Sequence, residues 1–172
     1  MNEDLALQKL NDFNEKEAFE ALLRCCGASK WALKVMAARP FANPDALFAA
    51  SEAAFENLAE IDWLEAFAHH PKLGDLASLR QKFATARDWA GAEQAGTGAA
   101  SGAVLHELAQ GNEDYQSKFG FIFILCATGK SADEMLKALQ QRLGNERTTE
   151  IANAAEQQKQ IARLRLRKLL ET

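Results

Sequence analysis

Residues 146 to 170 contain neither glycine nor proline. At about 100° per residue, Ile151, Ala154, Ala155, Ile161, Ala162 and Leu169 fall in one arc of a helix. A long helix with one apolar face must be covered by other elements, and the rest of the chain supplies helix formers rather than strands. Ala, Leu, Glu, Gln and Lys dominate, alternating runs rich in Val, Ile and Thr are absent, and only three prolines occur. The pattern predicts an all-α fold, a compact single-domain bundle of about eight to nine helices spanning residues 1–172.

Composition narrows the classes of function. A hydrophobic fraction of 48% and a charged fraction of 26% are those of an ordinary globule, and a net charge of −4 gives no reason to expect nucleic acid. No run of about 18 apolar residues suggests a membrane span, and the acidic, polar start Met1-Asn2-Glu3-Asp4 does not read as a signal peptide. Cys25, Cys26 and Cys126 form no CxxC pair or metal-ligand spacing. Adjacent Cys25 and Cys26, in an apolar helical context, read as buried free thiols of a reducing compartment, so the expected location is the cytoplasm.

Capping signals divide the chain. Asn14 opens a helix to Cys26, with Gly27 as its stop; Ser29 precedes a short helix to Ala38; Asn43-Pro44 opens the next, through Phe55. Asp62 starts a helix through Trp63 and Phe67, and Ala77 to Thr85 looks helical. Gly91, Gly96, Gly98 and Gly102 mark the loosest part, readable as a lid, a linker or a loop. A helix from Ala103 is expected to break at Gly111-Asn112. Phe121 to Ala127 is apolar on every side and fits a buried strand or a buried helix; with no second strand to pair with, helix is the expectation. Ser131 and Glu134 form a capping box for the helix that Gly144-Asn145 ends.

Two of the three histidines lie in Ala68-His69-His70-Pro71-Lys72-Leu73-Gly74-Asp75. Pro71 disfavours the α conformation at His70, so the helix from Asp62 should stop there, holding an imidazole at the rim of the core. That imidazole is either a favourable helix C-cap or a proton-transfer group, since histidine titrates near neutral pH. His69 lies one residue off the apolar side and His106 sits mid-helix beside Glu107; both read as solvent-facing. Adjacent helical residues point about 100° apart, which argues against a His69–His70 metal pair.

Arg165 falls inside the apolar arc of the last helix, between Ile161 and Ala162, whereas Arg163, Arg167 and Lys159 lie outside it. A guanidinium there needs an anion, either an internal carboxylate or one on a ligand, which its planar fork can grip with two hydrogen bonds. Glu93 is a lone charge in Trp89-Ala90-Gly91-Ala92-Glu93-Gln94-Ala95-Gly96 and is either plain surface or the carboxylate of a water-limited site.

Together these segments resemble the 2-oxo-4-hydroxy-4-carboxy-5-ureidoimidazoline decarboxylases, which act at the third step of urate breakdown to allantoin. The resemblance runs through Cys26-Gly27-Ala28-Ser29-Lys30-Trp31, Arg39-Pro40-Phe41, His70-Pro71-Lys72-Leu73-Gly74-Asp75, Glu93-Gln94-Ala95-Gly96 and Asn112-Glu113-Asp114-Tyr115. It closes on Lys118-Phe119-Gly120-Phe121-Ile122-Phe123-Ile124, Arg142-Leu143 and Ile161-Ala162-Arg163-Leu164-Arg165-Leu166. It implies an all-α homodimer that converts its substrate to S-allantoin with no metal or organic cofactor. By the same resemblance His70 and Glu93 are the catalytic pair. Pro71, Ala90, Gly91, Ala92, Glu93, Gln94, the stretch Phe123, Ile124, Leu125, Cys126 and Ala127, and Arg165 contact substrate. Ala90 departs from the family, which often has serine there.

The implied substrate is a small ureidoimidazoline carboxylate. Losing CO₂ leaves an electron pair that the adjacent unsaturation can delocalise. The residues suit that chemistry. Arg165 can anchor an anion, Glu93 can hydrogen-bond a hydroxyl or ureido group, His70 can transfer a proton, and an apolar wall can exclude water. Two other readings compete: a catalytically silent ligand-binding module of the same fold, and an enzyme acting on a related ureido acid.

Overall fold

The computed structural model describes residues 3–70 and 102–171. Among these residues are eight helices and no strand: α1 (Glu3–Asp12), α2 (Glu15–Cys25), α3 (Ser29–Ala37), α4 (Pro44–Phe55), α5 (Glu60–Ala68), α6 (Gly102–Phe119), α7 (Ala132–Leu143) and α8 (Arg147–Glu171). None of the eight is long and apolar enough to cross a membrane. The expected all-α class holds. The stretches expected at Ala77–Thr85 and the Gly-rich segment lie outside the described residues.

The chain divides into two units, one made of residues 1–70 and 151–172, the other of residues 71–150. In the first, the predicted caps form. The Asn14 side chain accepts from Glu17 N at 3.0 Å while the Glu17 carboxylate accepts from Asn14 N at 3.1 Å. Asn43 accepts from Ala46 N at 2.9 Å, with Pro44 opening α4. Helix α1, not among the expected helices, buries Ala6, Leu7 and Leu10 at helical spacing. The core is a run of stacked aromatics, Trp31–Phe55, Phe55–Trp63 and Trp63–Phe67, with ring centroids 5.5, 5.5 and 6.4 Å apart. Trp31 is fully buried, and its indole N–H donates to Ser51 O at 3.1 Å, so the ring adds burial without an unpaired donor.

The second unit corrects two expectations. Helix α6 continues through Gly111-Asn112 to Phe119 instead of breaking. Gly111 serves close packing, because a Cβ there would lie 2.6 Å from Leu139 Cδ2 of α7. Asn112 satisfies its own amide within the helix, donating to Leu108 O at 2.9 Å. Phe121–Ala127, expected to be helical, is neither helix nor strand. Gly120, at φ +82°, ends α6 in a conformation that side chains with a Cβ disfavour. The chain beyond it buries Phe121, Ile124 and Cys126, while Arg142 Nη1 donates to Ile124 O at 2.7 Å. Side-chain capping of a buried carbonyl does there what a ladder would do in a sheet.

Arg142 belongs to a buried polar cluster. Its Nε donates to Glu150 Oε2 at 2.8 Å, Asn145 Nδ2 donates to Glu150 Oε1 at 2.7 Å, and the Tyr115 hydroxyl also donates to Glu150. The guanidinium lies 4.6 Å from the Phe123 ring centroid. Glu150 is fully buried, and these partners compensate the loss of water around its charge.

Candidate active site

Helix α5 is built to end where the imidazoles are. Asp62, in its first turn, accepts from Ala59 N at 2.7 Å; that bond, with Lys30 nearby, holds its carboxyl below the usual value. Further along, Glu65 reaches the first residue of α3, taking hydrogen bonds from Ser29 N at 3.1 Å and Ser29 Oγ at 2.5 Å. A carboxylate at a helix N-terminus is favourable, and here it ties α5 to α3. The last turn tightens, with His69 N donating to Ala66 O and His70 N to Phe67 O, each at 3.2 Å.

His69 is exposed, as its position implied, and its Nδ1 lies 3.0 Å from Glu65 O. It packs on Gly27, where an added Cβ would sit 2.3 Å from His69 Cβ. Gly27 therefore serves by its lack of a side chain. The cap of α2 is Cys26, in an extended conformation.

His70 is half-buried, and its Nε2 lies 2.6 Å from Gln158 Oε1 on α8. Burial pushes the imidazole pKa down, the Gln158 hydrogen bond pulls it up, and the charges of Arg165 and His69 push it down again; the net direction is down from 6.5. The resting ring is therefore neutral near pH 7.

Arg165, two turns beyond Gln158, is half-buried and donates from Nη1 to Arg24 O at 3.3 Å. Among the described residues no carboxylate pairs with it. Arg163 and Arg167 are exposed, with Arg163 over the Phe48 ring and 3.8 Å from Glu52. Cys25 and Cys26 are near enough to Arg165 to feel its charge, yet burial raises their thiols to about 11 and about 12, so both stay protonated.

The first unit thus brings together His70 and Arg165. The stretch Phe123, Ile124, Leu125, Cys126 and Ala127 lies in the second unit, where Arg142 holds it. Pro71, Ala90, Gly91, Ala92, Glu93 and Gln94 lie outside the described residues. Gln158 is a site residue that the sequence pattern did not single out, although its direction falls within the apolar arc, about 20° from that of Arg165. The signal was present: a polar residue in line with Ala154 and Ala162, overlooked when only apolar residues and charges are counted.

A profile of the OHCU decarboxylases matches residues 11–167 of the chain. The chain belongs to the OHCU decarboxylase family. It is 37% identical over 145 residues to the uric acid degradation bifunctional protein TTL of Arabidopsis thaliana, covering 84% of this chain but only 45% of that protein's length. It is 31% identical over 140 residues to the 2-oxo-4-hydroxy-4-carboxy-5-ureidoimidazoline decarboxylase of Amia calva, covering 81% and 79% of the two chains. Among solved structures, an OHCU decarboxylase crystallised in the presence of (S)-allantoin superposes with a TM-score of 0.71 at 34% identity, covering 87% of this chain and 96% of that one.

Proposed function

We propose that this chain is a carboxy-lyase that converts 2-oxo-4-hydroxy-4-carboxy-5-ureidoimidazoline to (S)-allantoin in urate breakdown. The observation that carries the reading is the half-buried imidazole of His70, held at the end of α5 by its 2.6 Å contact with Gln158 on α8, in a chain of the OHCU decarboxylase family. Breaking the bond to the substrate carboxylate releases CO₂ and leaves its electron pair on the ring, where the adjacent unsaturation takes it up with a proton. The resulting enol becomes the ketone by giving its hydroxyl proton to a base and taking a proton on carbon. The net change replaces CO₂ by one proton.

In this reading Arg165 anchors the anion with its two-pronged donor set, and His70 carries the hydroxyl proton. Glu93 is the second catalytic group, hydrogen-bonding the hydroxyl or ureido group. Pro71, Ala90, Gly91, Ala92, Gln94 and the Phe123–Ala127 stretch complete the substrate contacts. A proton delivered by the protein to one face accounts for a single-handed product. The working form is a cytoplasmic homodimer of one-domain chains, using no metal or organic cofactor.

Freshly generated substrate, made from urate with the upstream oxidase and hydrolase, tests the activity. The purified chain should accelerate release of carbon dioxide. Binding of the substrate without acceleration would overturn the reading in favour of a ligand-binding module.

A further inference from the structure

The described residues bury three polar or charged side chains, Ser51, Glu150 and Gln158. Glu150 is held by Tyr115, Arg142 and Asn145. Gln158 differs: it is fully buried, its Oε1 lies 2.6 Å from His70 Nε2, and its Nε2 has no hydrogen-bond partner among the described residues. A buried amide with an unpaired N–H group weakens a fold, and an apolar side chain would suit that position between Ala154 and Ala162 better. Among the described residues its side chain makes one bond, to His70, and that bond is what the amide contributes.

An amide oxygen only accepts hydrogen bonds. At 2.6 Å from that oxygen, His70 Nε2 must therefore carry the proton, which leaves Nδ1 of the neutral ring with a bare lone pair. We infer that Gln158 is a positioning residue that sets the tautomer of His70, keeping the proton on Nε2 so that Nδ1 meets the ligand as a proton acceptor. The assignment of Nδ1 to the reaction rests on the function proposed above; the tautomer itself does not. In the reaction Nδ1 takes the enol hydroxyl proton as the ketone forms, giving an imidazolium whose Nε2–H still donates to Gln158. The same Nδ1–H then supplies the proton to carbon, and the ring returns to its starting state. Among the described residues, the titratable and charged groups acting on the ring are Arg165 on α8 and His69, just past the end of α5, both opposing the imidazolium. Gln158 is the group that favours it. The converse arrangement, with the amide turned over, would place the proton on Nδ1 and bury an oxygen without a donor.

The test is the nitrogen spectrum of the full, ligand-free chain labelled with ¹⁵N-histidine, recorded above the titration of His70. Nε2 should appear as the protonated nitrogen and Nδ1 as the bare one. Gln158→Met should let the two tautomers mix and lower kcat about tenfold or more with a smaller change in KM, while Gln160→Met, exposed on the same helix, should change neither. Gln158→Glu should raise the titration midpoint of His70. A wild-type ring protonated on Nδ1 overturns the inference, as does an unchanged tautomer in Gln158→Met. If the Met variant does not fold, the wild-type spectrum and the Glu variant decide. The expected tautomer in a chain that releases no carbon dioxide would leave the inference standing and overturn the proposed function instead.

Discussion

His70 and Arg165 make separable contributions that substitution can read. Replacing His70 by Asn should cost at least about 10²-fold in kcat, the range usual for a general acid–base group, while His69→Asn costs far less. Steady-state assays on folded variants check this. Because the folded imidazole titrates below 6.5, the unfolded chain takes up a proton as pH falls through 6.5 that the folded chain does not. Stability from this site is therefore complete above 6.5 and falls with pH until the folded value is reached. Urea unfolding across that window should show a shallower decline in His70→Asn than in the wild type. Arg165→Lys keeps the charge but loses the fork, and should weaken substrate binding by about 1–3 kcal/mol. Arg163→Lys and Arg167→Lys, both exposed, should match the wild type in KM. Arg165 was legible in the sequence because a charge inside an apolar arc violates the pattern. Gln158 and Glu150 stayed hidden because their burial depends on partners far away in sequence, His70 for one and Tyr115 for the other.

At the scale of elements, a glycine sets the end of α5 in the first unit, and a buried carboxylate holds the polar cluster of the second. Gly27→Ala would drive a Cβ into His69 and shift the end of α5, so it should lower stability by about 1–3 kcal/mol and reduce turnover through displaced His70. Thermal unfolding and kcat on the same preparation test both parts. Glu150→Ala would leave the Arg142 charge and the Tyr115 hydroxyl without their acceptor, and should destabilise the fold by about 3–5 kcal/mol by urea titration. Caps were the most readable features: Asn14, Asn43 and Ser131 each hold the backbone N–H their spacing implied. Gly111 and Phe121–Ala127 misled for opposite reasons. A glycine in a helix marks a break only if nothing needs its space, and Leu139 does. An apolar run with no partner strand need not be a helix when an arginine can satisfy its carbonyl, as Arg142 does for Ile124.

At the scale of the whole molecule, the all-α class follows from composition and periodicity, and membership of the OHCU decarboxylase family from the ordered motifs that residues 11–167 carry. What periodicity alone could not supply is the pairing of distant positions, since His70 meets α8 only once the helices pack. The central claim is that His70 turns this chain into a stereoselective decarboxylase. The handedness of allantoin formed from urate, oxidase, hydrolase and the purified chain, followed by circular dichroism, tests it most directly. The wild type should speed decay of the optically active intermediate and yield (S)-allantoin, and folded His70→Asn should return both to the uncatalysed course. Decay at the uncatalysed rate to racemic allantoin in the presence of the wild-type chain would contradict the account.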